Sequence, residues 1–248
     1  MTVSAPAIGL RLRSSVLIFP LLMAGVVSLL IGLGIWQIER RAWKLALIDR
    51  VEHRVHAAPV AAPGPAAWSA LTRGDAEYRH VAVTGRFVAG HDTRVSATTD
   101  LGIGAWVLTP FRDVAGYTVL VNRGFVPSGR QDSPPPNHLV TVSGLLRITE
   151  PGGAFLRAND PAHDRWYSRD VAAIAAAQAI PRPAPYFIDA DATPDPRARD
   201  DWPRGGLTRI RFYNNHLVYA LTWFGLAAAV AGATVVACRD MWRSRPDR

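Results

Sequence analysis

Cysteine is nearly missing from this 248-residue chain, which contains only Cys238. A single thiol cannot form an intrachain disulfide, and without a thiol pair there is no dithiol to bind copper or carry redox chemistry. The sequence also has no phosphate-binding loop, no Gly-x-Ser-x-Gly and no His-Glu-x-x-His pattern. Because no nucleophile stands beside a base, a membrane-anchored hydrolase is disfavoured.

Acidic residues are outnumbered, with 20 Asp and Glu against 28 Lys and Arg. Much of the excess is arginine beside two apolar stretches. The middle of the chain has no basic run interleaved with aromatic residues, which argues against a nucleic-acid partner. Arginines at a membrane boundary suit anionic lipid head groups, so we expect membrane lipid to be a partner.

Charge is missing altogether from two long stretches. Val16–Trp36 has no charged residue, and Phe212–Cys238 has none apart from the titratable His216. About 20 apolar residues in a helix cross the roughly 30 Å hydrocarbon core of a bilayer. We therefore predict a membrane protein that crosses the bilayer twice and carries a domain between the crossings.

The first stretch has an alternative interpretation as a cleaved signal peptide, because arginines precede it. Its apolar run is longer than the roughly 7–15 residues of such a peptide. It also ends in Gly34-Ile35-Trp36-Gln37 rather than at a small-residue cleavage site. We expect an uncleaved anchor.

Two crossings place both termini on one side of the membrane. Long loops translocate largely regardless of their charge, so the arginines of the two tails decide the orientation. They favour cytoplasmic tails and an external middle domain. The predicted limits are 1–15 for the N-terminal tail, 16–36 for transmembrane helix 1, 37–211 for the middle domain, 212–238 for transmembrane helix 2 and 239–248 for the C-terminal tail.

The middle domain is predicted to be a mainly antiparallel β (α+β) domain flanked by the two transmembrane α-helices. Alternating, β-branched runs bounded by turn signals predict its strands. The predicted strands are Tyr78–Val88, Ala105–Phe111, Tyr117–Phe125 and Leu139–Ile148, with short candidates at Tyr186–Ile188 and Leu207–Ile210. The second and third of these are expected to form a hairpin.

Two helices are predicted around these strands. Apolar residues at steps of three and four over 38–55 predict that the first crossing continues outward as an amphipathic helix. Ser168–Ala179 is alanine-rich, with Asp170 near its start and Pro181 beyond its end. An acidic cluster lies between prolines after this helix, and we interpret it as a solvated loop rather than a cation site. Its members are Asp189, Asp191, Asp195, Asp200 and Asp201.

His216 is the strongest single candidate for a site. An ionisable residue at the edge of a membrane span is costly, and therefore suggests a function. Tyr219 and Trp223 follow at i+3 and i+7 and share its helix face. A neutral imidazole is a good axial ligand for haem iron, and the aromatic rings would pack against a porphyrin. An interfacial histidine within an aromatic belt is the alternative, and the residues alone leave it open.

Four segments, in order along the chain, resemble the Surfeit locus protein 1 family. They are Gly34–Lys44 (GIWQIERRAWK), Tyr78–Val81 together with Gly85–Phe87, Val119–Pro127 (VLVNRGFVP) and Tyr213–Phe224 (YNNHLVYALTWF). A small departure is Phe125, where the family often has tryptophan.

The resemblance implies an assembly factor for cytochrome c oxidase, not an enzyme. It implies a two-pass protein of the bacterial cell inner membrane, or of the mitochondrial inner membrane, with the middle domain periplasmic or in the intermembrane space. Bacterial members are associated with binding haem a before its insertion into the catalytic subunit. Haem a is then a transient cargo, the catalytic subunit is a partner, and haem A synthase is a further candidate partner. A scaffold that holds an oxidase assembly intermediate without binding haem is the alternative.

Within the motifs, the family's histidine matches His216, which the resemblance implies is the axial ligand of the haem iron. Trp36, Gln37 and Arg40 match the motif of the first crossing, although a packing role for Trp36 is an alternative. The predicted haem-binding residues are His216, Trp36, Arg40, Tyr219 and Trp223.

The two crossings are expected to pack together through small residues. Ser28 and Gly32 on the first, and Gly225 and Ala229 on the second, would allow close approach. The site is expected at their outer ends, partly in lipid, where a farnesylated haem could enter sideways. The outer domain is expected to cover the site or to dock onto an oxidase subunit.

Overall fold

The structure is a computed structural model that describes residues 11–154, 156–193, 201–208, 210 and 212–243, with side chains from residue 18 onward. The chain divides into two compact units. One, called here the helix pair, contains Met1–Asp49 and Arg211–Arg248; the other, called the β unit, is Arg50–Ile210.

Two long helices make up the helix pair. Helix α1 is Arg11–His56, whose last turns belong to the β unit, and helix α4 is His216–Arg243. By length and composition, Ile18–His56 and His216–Arg243 are both able to cross a membrane. The prediction of an apolar helix at each end of a β-rich domain is therefore confirmed.

Helix α1 continues well beyond its apolar stretch, as the periodicity over 38–55 predicts. Its last turns are tied to the β unit: Val51 is buried, and the Arg54 guanidinium donates a hydrogen bond to the Gly74 carbonyl at 2.6 Å. Gly74 lies in the short helix α2, Arg73–Ala76. The last turns of α1 therefore pack within the β unit, whereas Ile38 and Leu45, earlier in the same periodic run, are exposed.

A seven-stranded sheet dominates the β unit. Its strands lie in the order β1-β2-β6-β7-β5-β4-β3. Only the β1–β2 and β5–β7 pairs are parallel, so the sheet is mainly antiparallel, as predicted. The strands are β1 Val60–Ala61, β2 His80–Phe87, β3 Thr93–Thr99, β4 Gly102–Asp113, β5 Thr118–Pro127, β6 Val140–Ile148 and β7 Pro183–Ala190.

Five of these strands close into a ring, because β4 pairs with β2 as well as with β5. Closure brings backbones very close at two glycines. A Cβ on Gly85 would lie 2.1 Å from the Arg112 carbonyl oxygen, and one on Gly144 would lie 2.1 Å from that of Asp189. Glycine in a strand commonly marks such a close approach at the corner of a barrel.

The strand predictions are mostly confirmed. Strands β2, β4, β5 and β6 lie at the predicted segments, β7 includes the short candidate Tyr186–Ile188, and β4 and β5 form the expected antiparallel pair. The short candidate Leu207–Ile210 is wrong, since Leu207, Thr208 and Ile210 lie outside any strand. Strands β1 and β3 were not predicted.

The predicted second helix exists but is shorter. Helix α3 is Val171–Ala177, and the Asp170 side chain caps it by accepting a hydrogen bond from the Ala173 amide at 3.1 Å. Apolar side chains pack on both faces of β7. Tyr186 and Ile188 join one buried cluster with β2 and β5, and Phe187 joins another with α3.

Asp189, near the end of β7, is the centre of a buried polar network. Its side chain is 4% exposed. The carboxylate accepts hydrogen bonds from Asn122 at 2.7 Å, Arg147 at 2.9 Å and Arg169 at 3.2 Å. The Thr208 hydroxyl donates a fourth at 2.9 Å. Asp189 thus joins strands β5, β6 and β7 to the segment that precedes α4.

Outer carboxylates complete the pairing of the two arginines. Glu77 accepts from Arg147 at 2.7 Å, and Glu150 accepts from Arg169 at 2.6 Å. Burial alone lowers the pKa of the Arg147 guanidinium, but the charge of Asp189 and the hydrogen bond to Glu77 raise it overall. The Arg147 guanidinium therefore stays charged inside the fold.

The interpretation of the acidic cluster as one solvated loop is wrong for Asp189. That residue lies on a buried strand, whereas Asp191 and Asp201 are exposed. Asp195 and Asp200 lie outside the described residues. Local composition favoured a loop because the arginines that neutralise Asp189 come from distant parts of the chain.

His80 links the end of α1 to the segment after β7. Its Nδ1 lies 2.7 Å from the Ala57 carbonyl oxygen, and its Nε2 lies 2.8 Å from the Asp191 carboxylate. Both neighbours are acceptors, so only the imidazolium, which carries two N–H groups, satisfies both. Partial burial lowers the pKa of His80, but these hydrogen bonds and the Asp191 charge raise it overall above 6.5.

We expect His80 to make the stability of the β unit depend on pH. Because its folded pKa lies above its unfolded value, the stabilisation is complete below about pH 6.5 and is lost as pH rises through the folded pKa. Urea unfolding of the detergent-solubilised protein at pH 6 and pH 9 should show this loss. His80→Gln should be less stable at pH 6 and should show a smaller change. An equal change in both proteins would contradict the imidazolium assignment.

Candidate functional site

The two helices of the helix pair run antiparallel. Gln37 of α1 contacts His216 at the start of α4. Gly34 lies one turn before Gln37 on α1, and Phe224 lies two turns after His216 on α4. These two residues face each other, because a Cβ on Gly34 would lie 2.5 Å from the Phe224 ring. Glycine at this position therefore allows the close approach that brings Gln37 to His216.

The predicted small-residue faces do not make this contact. A Cβ added to Gly32 or to Gly225 would have no heavy atom within 4 Å, and Ser28 and Ala229 are exposed. Small residues four apart identify a face that permits close packing, but each helix carries more than one such face. Among the described side chains of the helix pair, the buried residues on the two helices are Gly34, Gln37, Ala220 and Ala227.

His216 and Gln37 form a hydrogen bond at the centre of this contact. The His216 Nδ1 and the Gln37 Oε1 are 2.7 Å apart. Gln37 is only 9% exposed, and His216 is partly buried. Within the part of the chain that the structure describes, Nε2 of His216 has no hydrogen-bond partner. The imidazole is held through one nitrogen, and the other remains available.

Three of the other predicted residues, Trp36, Arg40 and Tyr219, lie on one side of the His216–Gln37 pair. At about 100° per residue, Trp36 and Arg40 both lie on the same side of α1 relative to Gln37. On α4, Tyr219 is rotated about the helix axis away from His216 in the same direction as Trp36 and Arg40 are rotated from Gln37. Because the helices are antiparallel, these offsets place all three side chains on the same side of the pair. Trp36 is 53% and Tyr219 54% exposed.

Trp223 lies further from the histidine along α4, and Arg40 packs against a tryptophan. Trp223 lies two turns beyond His216 and is partly buried. The Arg40 guanidinium stacks 4.1 Å from the ring centre of Trp43, which holds the cation beside an aromatic wall. No carboxylate pairs with Arg40 among the described side chains, so its hydrogen-bond donors are available to an anion.

The sequence model of the SURF1 family matches residues 24–228. This interval contains most of α1, about the first half of α4 and the whole β unit. The chain belongs to the SURF1 family. Surfeit locus protein 1 of Mus musculus is 36% identical over 222 residues, covering 81% of this chain and 69% of the mouse protein. The resemblance carried by the four motifs is confirmed.

Other relatives span a wide range of eukaryotes. Surfeit locus protein 1 of Homo sapiens is 36% identical over 225 residues, with 81% of this chain and 71% of the human protein covered. A SURF1-like protein of Monosiga brevicollis is 34% identical over 248 residues, and the match covers 92% of this chain and 90% of the Monosiga protein. The SURF1 likeness therefore includes both helices and the β unit.

Sequence reasoning on this SURF1 chain did not predict the contact of Gln37 with His216. Gln37 was named only as part of a motif, and the two residues are 179 positions apart. A usable signal was present, since a polar amide at the end of an apolar helix needs a partner when it is buried. His216 at the corresponding end of the other apolar helix was the natural candidate.

These residues fit a haem iron with one protein ligand. Among the described residues, Nε2 of His216 has no hydrogen-bond partner and Arg40 has no anionic partner, and the exposed rings of Trp36 and Tyr219 lie on the same side of the helix pair. Two residues before His216, the Asn214 Oδ1 is buried and has no donor among the described residues. The described residues contain no group of three or more His, Cys, Asp or Glu side chains that could hold a metal ion, and a haem iron does not require one.

Proposed function

We propose that this SURF1-family protein is an assembly factor for haem a-containing cytochrome c oxidase. It binds haem a through His216 and helps to insert it into the catalytic subunit. The observation that carries the proposal is the His216–Gln37 pair: a histidine held through Nδ1, with Nε2 available, beside exposed Trp36 and Tyr219 and the cation of Arg40.

Each residue contributes one part of the binding. Imidazole nitrogen is a common axial ligand of haem iron. Trp36 and Tyr219 supply apolar ring surface, and Arg40 can donate charge-assisted hydrogen bonds to a propionate carboxylate. A single histidine ligand suits a carrier, because the catalytic subunit can replace it when the cargo is handed over.

The two apolar helices support the proposed location. In this proposal the protein is a two-pass protein of the bacterial cell inner membrane, with the β unit in the periplasm, where it can meet the catalytic subunit. Haem A synthase is the source of the cargo and therefore a second partner. The binding residues lie at the ends of two apolar helices, so the farnesyl chain of haem a can stay in lipid.

Spectroscopy of the purified protein tests the proposed function. Co-expressed with the enzymes that make haem a, the protein should purify with a Soret band and yield haem a on extraction. Protein that comes free of pigment and still restores oxidase assembly in cells would support the scaffold that holds an assembly intermediate without binding haem. Haem b alone in the extract would contradict the assignment of the cargo.

Reporter fusions test the orientation. A reporter near residue 130, between β5 and β6, should be active outside the cytoplasm, whereas one after the C-terminal residue should be active only inside. The physical reason is two membrane crossings with arginine-bearing tails. An external C-terminal reporter would contradict two crossings.

Replacing Trp36 and Arg40 together by alanine should weaken haem retention by more than about tenfold. A charge-assisted hydrogen bond contributes about 1.5–3 kcal/mol, and the lost aromatic surface adds to the effect. Dissociation of the pigment into apomyoglobin measures the change. Ile38→Ala is the control, since Ile38 is exposed on the opposite side of α1 from Trp36. Equal retention by the double variant and the parent would exclude this side of α1 from the site.

A further inference from the structure

We infer that Gln37 is a positioning residue that fixes the tautomer of His216 and directs its Nε2 toward the ligand. The inference rests on the proposed function only in naming haem as that ligand. What it asserts about the protein itself is a proton on Nδ1 and a lone pair on Nε2.

Hydrogen-bond chemistry leads from the contact to the tautomer. The Gln37 atom nearest His216 is the side-chain carbonyl oxygen, at 2.7 Å from Nδ1. A carbonyl oxygen can only accept, so Nδ1 must carry the proton. In the neutral imidazole, Nε2 then has a lone pair and is the nitrogen that can bind a metal. Without such a partner, nothing in the contact would select one nitrogen over the other.

Packing holds the two side chains in this arrangement. Gln37 is 9% exposed and lies one turn from Gly34, where the Phe224 ring closes on the backbone of α1. Ala220, one turn after His216, is 1% exposed and keeps α4 close to α1. A buried amide that lost its partner would have to pay the desolvation of its carbonyl, about 1–3 kcal/mol. The pair is therefore fixed before any ligand arrives.

The amide also sets how strongly the histidine binds. Histidines that ligate metals commonly donate their other N–H to a carboxylate or a carbonyl, and a carboxylate raises the basicity of the ring most. Gln37 orients His216 without adding a negative charge between two apolar helices. A neutral partner therefore gives an oriented ligand of moderate strength, which suits a cargo that must be released.

Nitrogen NMR of the ligand-free protein tests the tautomer directly. The full-length protein, labelled with ¹⁵N-histidine and reconstituted in nanodiscs at pH 8, should show His216 protonated on Nδ1, its signals assigned by their absence in His216→Ala. In Gln37→Leu, which removes the acceptor at similar volume, the Nε2-protonated form should appear. A parent His216 protonated on Nε2, or a Gln37→Leu spectrum identical to the parent, would overturn the inference. Glu39→Gln, an exposed neighbour, is the control and should match the parent.

Titration with haemin provides the second measurement. Gln37→Leu should bind haemin roughly 10–100-fold more weakly than the parent, as removal of an outer hydrogen-bond partner usually does. Gln37→Glu should bind haemin at least as tightly as the parent and lower the reduction potential of the bound haemin, because a carboxylate makes the imidazole a stronger donor. Equal affinities and potentials in all three proteins would overturn the positioning role. If the parent binds no haem while the NMR tautomer is as stated, the proposed function fails and the assignment of Gln37 stands.

Discussion

Replacing Asp189 by asparagine should destabilise the β unit by about 3–5 kcal/mol, because removing one partner of a buried ion pair leaves the other charge uncompensated. Arg147 and Arg169 both donate to this carboxylate, and their side chains are only 13% and 14% exposed. An asparagine has one acceptor oxygen and would turn an N–H group toward a guanidinium. Glu77 and Glu150 cannot replace the lost charge without leaving their own positions.

Hydrogen exchange of the solubilised protein under increasing urea would measure the effect. Peptides from β5, β6 and β7 should exchange through global opening at lower urea in Asp189→Asn than in the parent. Glu52→Gln is a matched control, since it makes the same change of carboxylate to amide on a side chain that is 64% exposed and, among the described residues, forms an ion pair only with His56. Protection equal to the parent in Asp189→Asn would show that the network does not stabilise the sheet.

Asp189 also illustrates which parts of the fold sequence reasoning cannot reach. Its neighbours in sequence are prolines and other acids, and these favour a solvated loop. Its neighbours in space are Arg169 and Arg147, 20 and 42 positions away, and Asn122, 67 positions away. Burial of an acid depends on such distant partners, so a local window misses it.

The elements that were predicted have their signals within a single segment. An uncharged stretch of helical length reveals α1 and α4. Alternation of apolar and polar residues reveals β2 and β6, and β-rich runs on either side of a turn signal reveal β4 and β5. Strand β3 carries Thr, Arg, Ser and Ala with few apolar residues, and at the edge of the sheet it has little apolar surface to bury. The pairing of β2 with β4 that closes the ring depends on the backbone approach at Gly85, which no period in the sequence reports.

In the helix pair, too, local features could be predicted and contacts between distant residues could not. The position of His216 at the edge of an apolar helix made it a candidate site residue, but nothing local identified Gln37 as its partner. The packing face of α1 contains Gly34 and Gln37 rather than Gly32. Which of two small residues faces the other helix depends on where Phe224 packs, and that is a property of the assembled pair.

The largest functional effect is expected for His216→Ala, which should abolish or strongly reduce bound haem. The protein should still reach the membrane at near-normal level, because replacing a polar side chain by an apolar one at the edge of a span does not hinder insertion. The iron would lose its imidazole ligand, and neither water nor the nearby Tyr219 hydroxyl replaces it well. Gln37, left without its donor, would not bind the cargo on its own.

His216→Met distinguishes loss of a ligand from loss of packing. A thioether is a haem ligand that raises the reduction potential, so this variant should retain some pigment with a raised potential. The pigment content of each purified variant, its redox titration and the oxidase activity of the cells would be measured together. If carriage is the function, oxidase activity should fall in proportion to the haem that is lost. Stoichiometric binding with an unchanged spectrum in His216→Ala would refute the ligand assignment, and full oxidase assembly despite loss of haem would favour the scaffold.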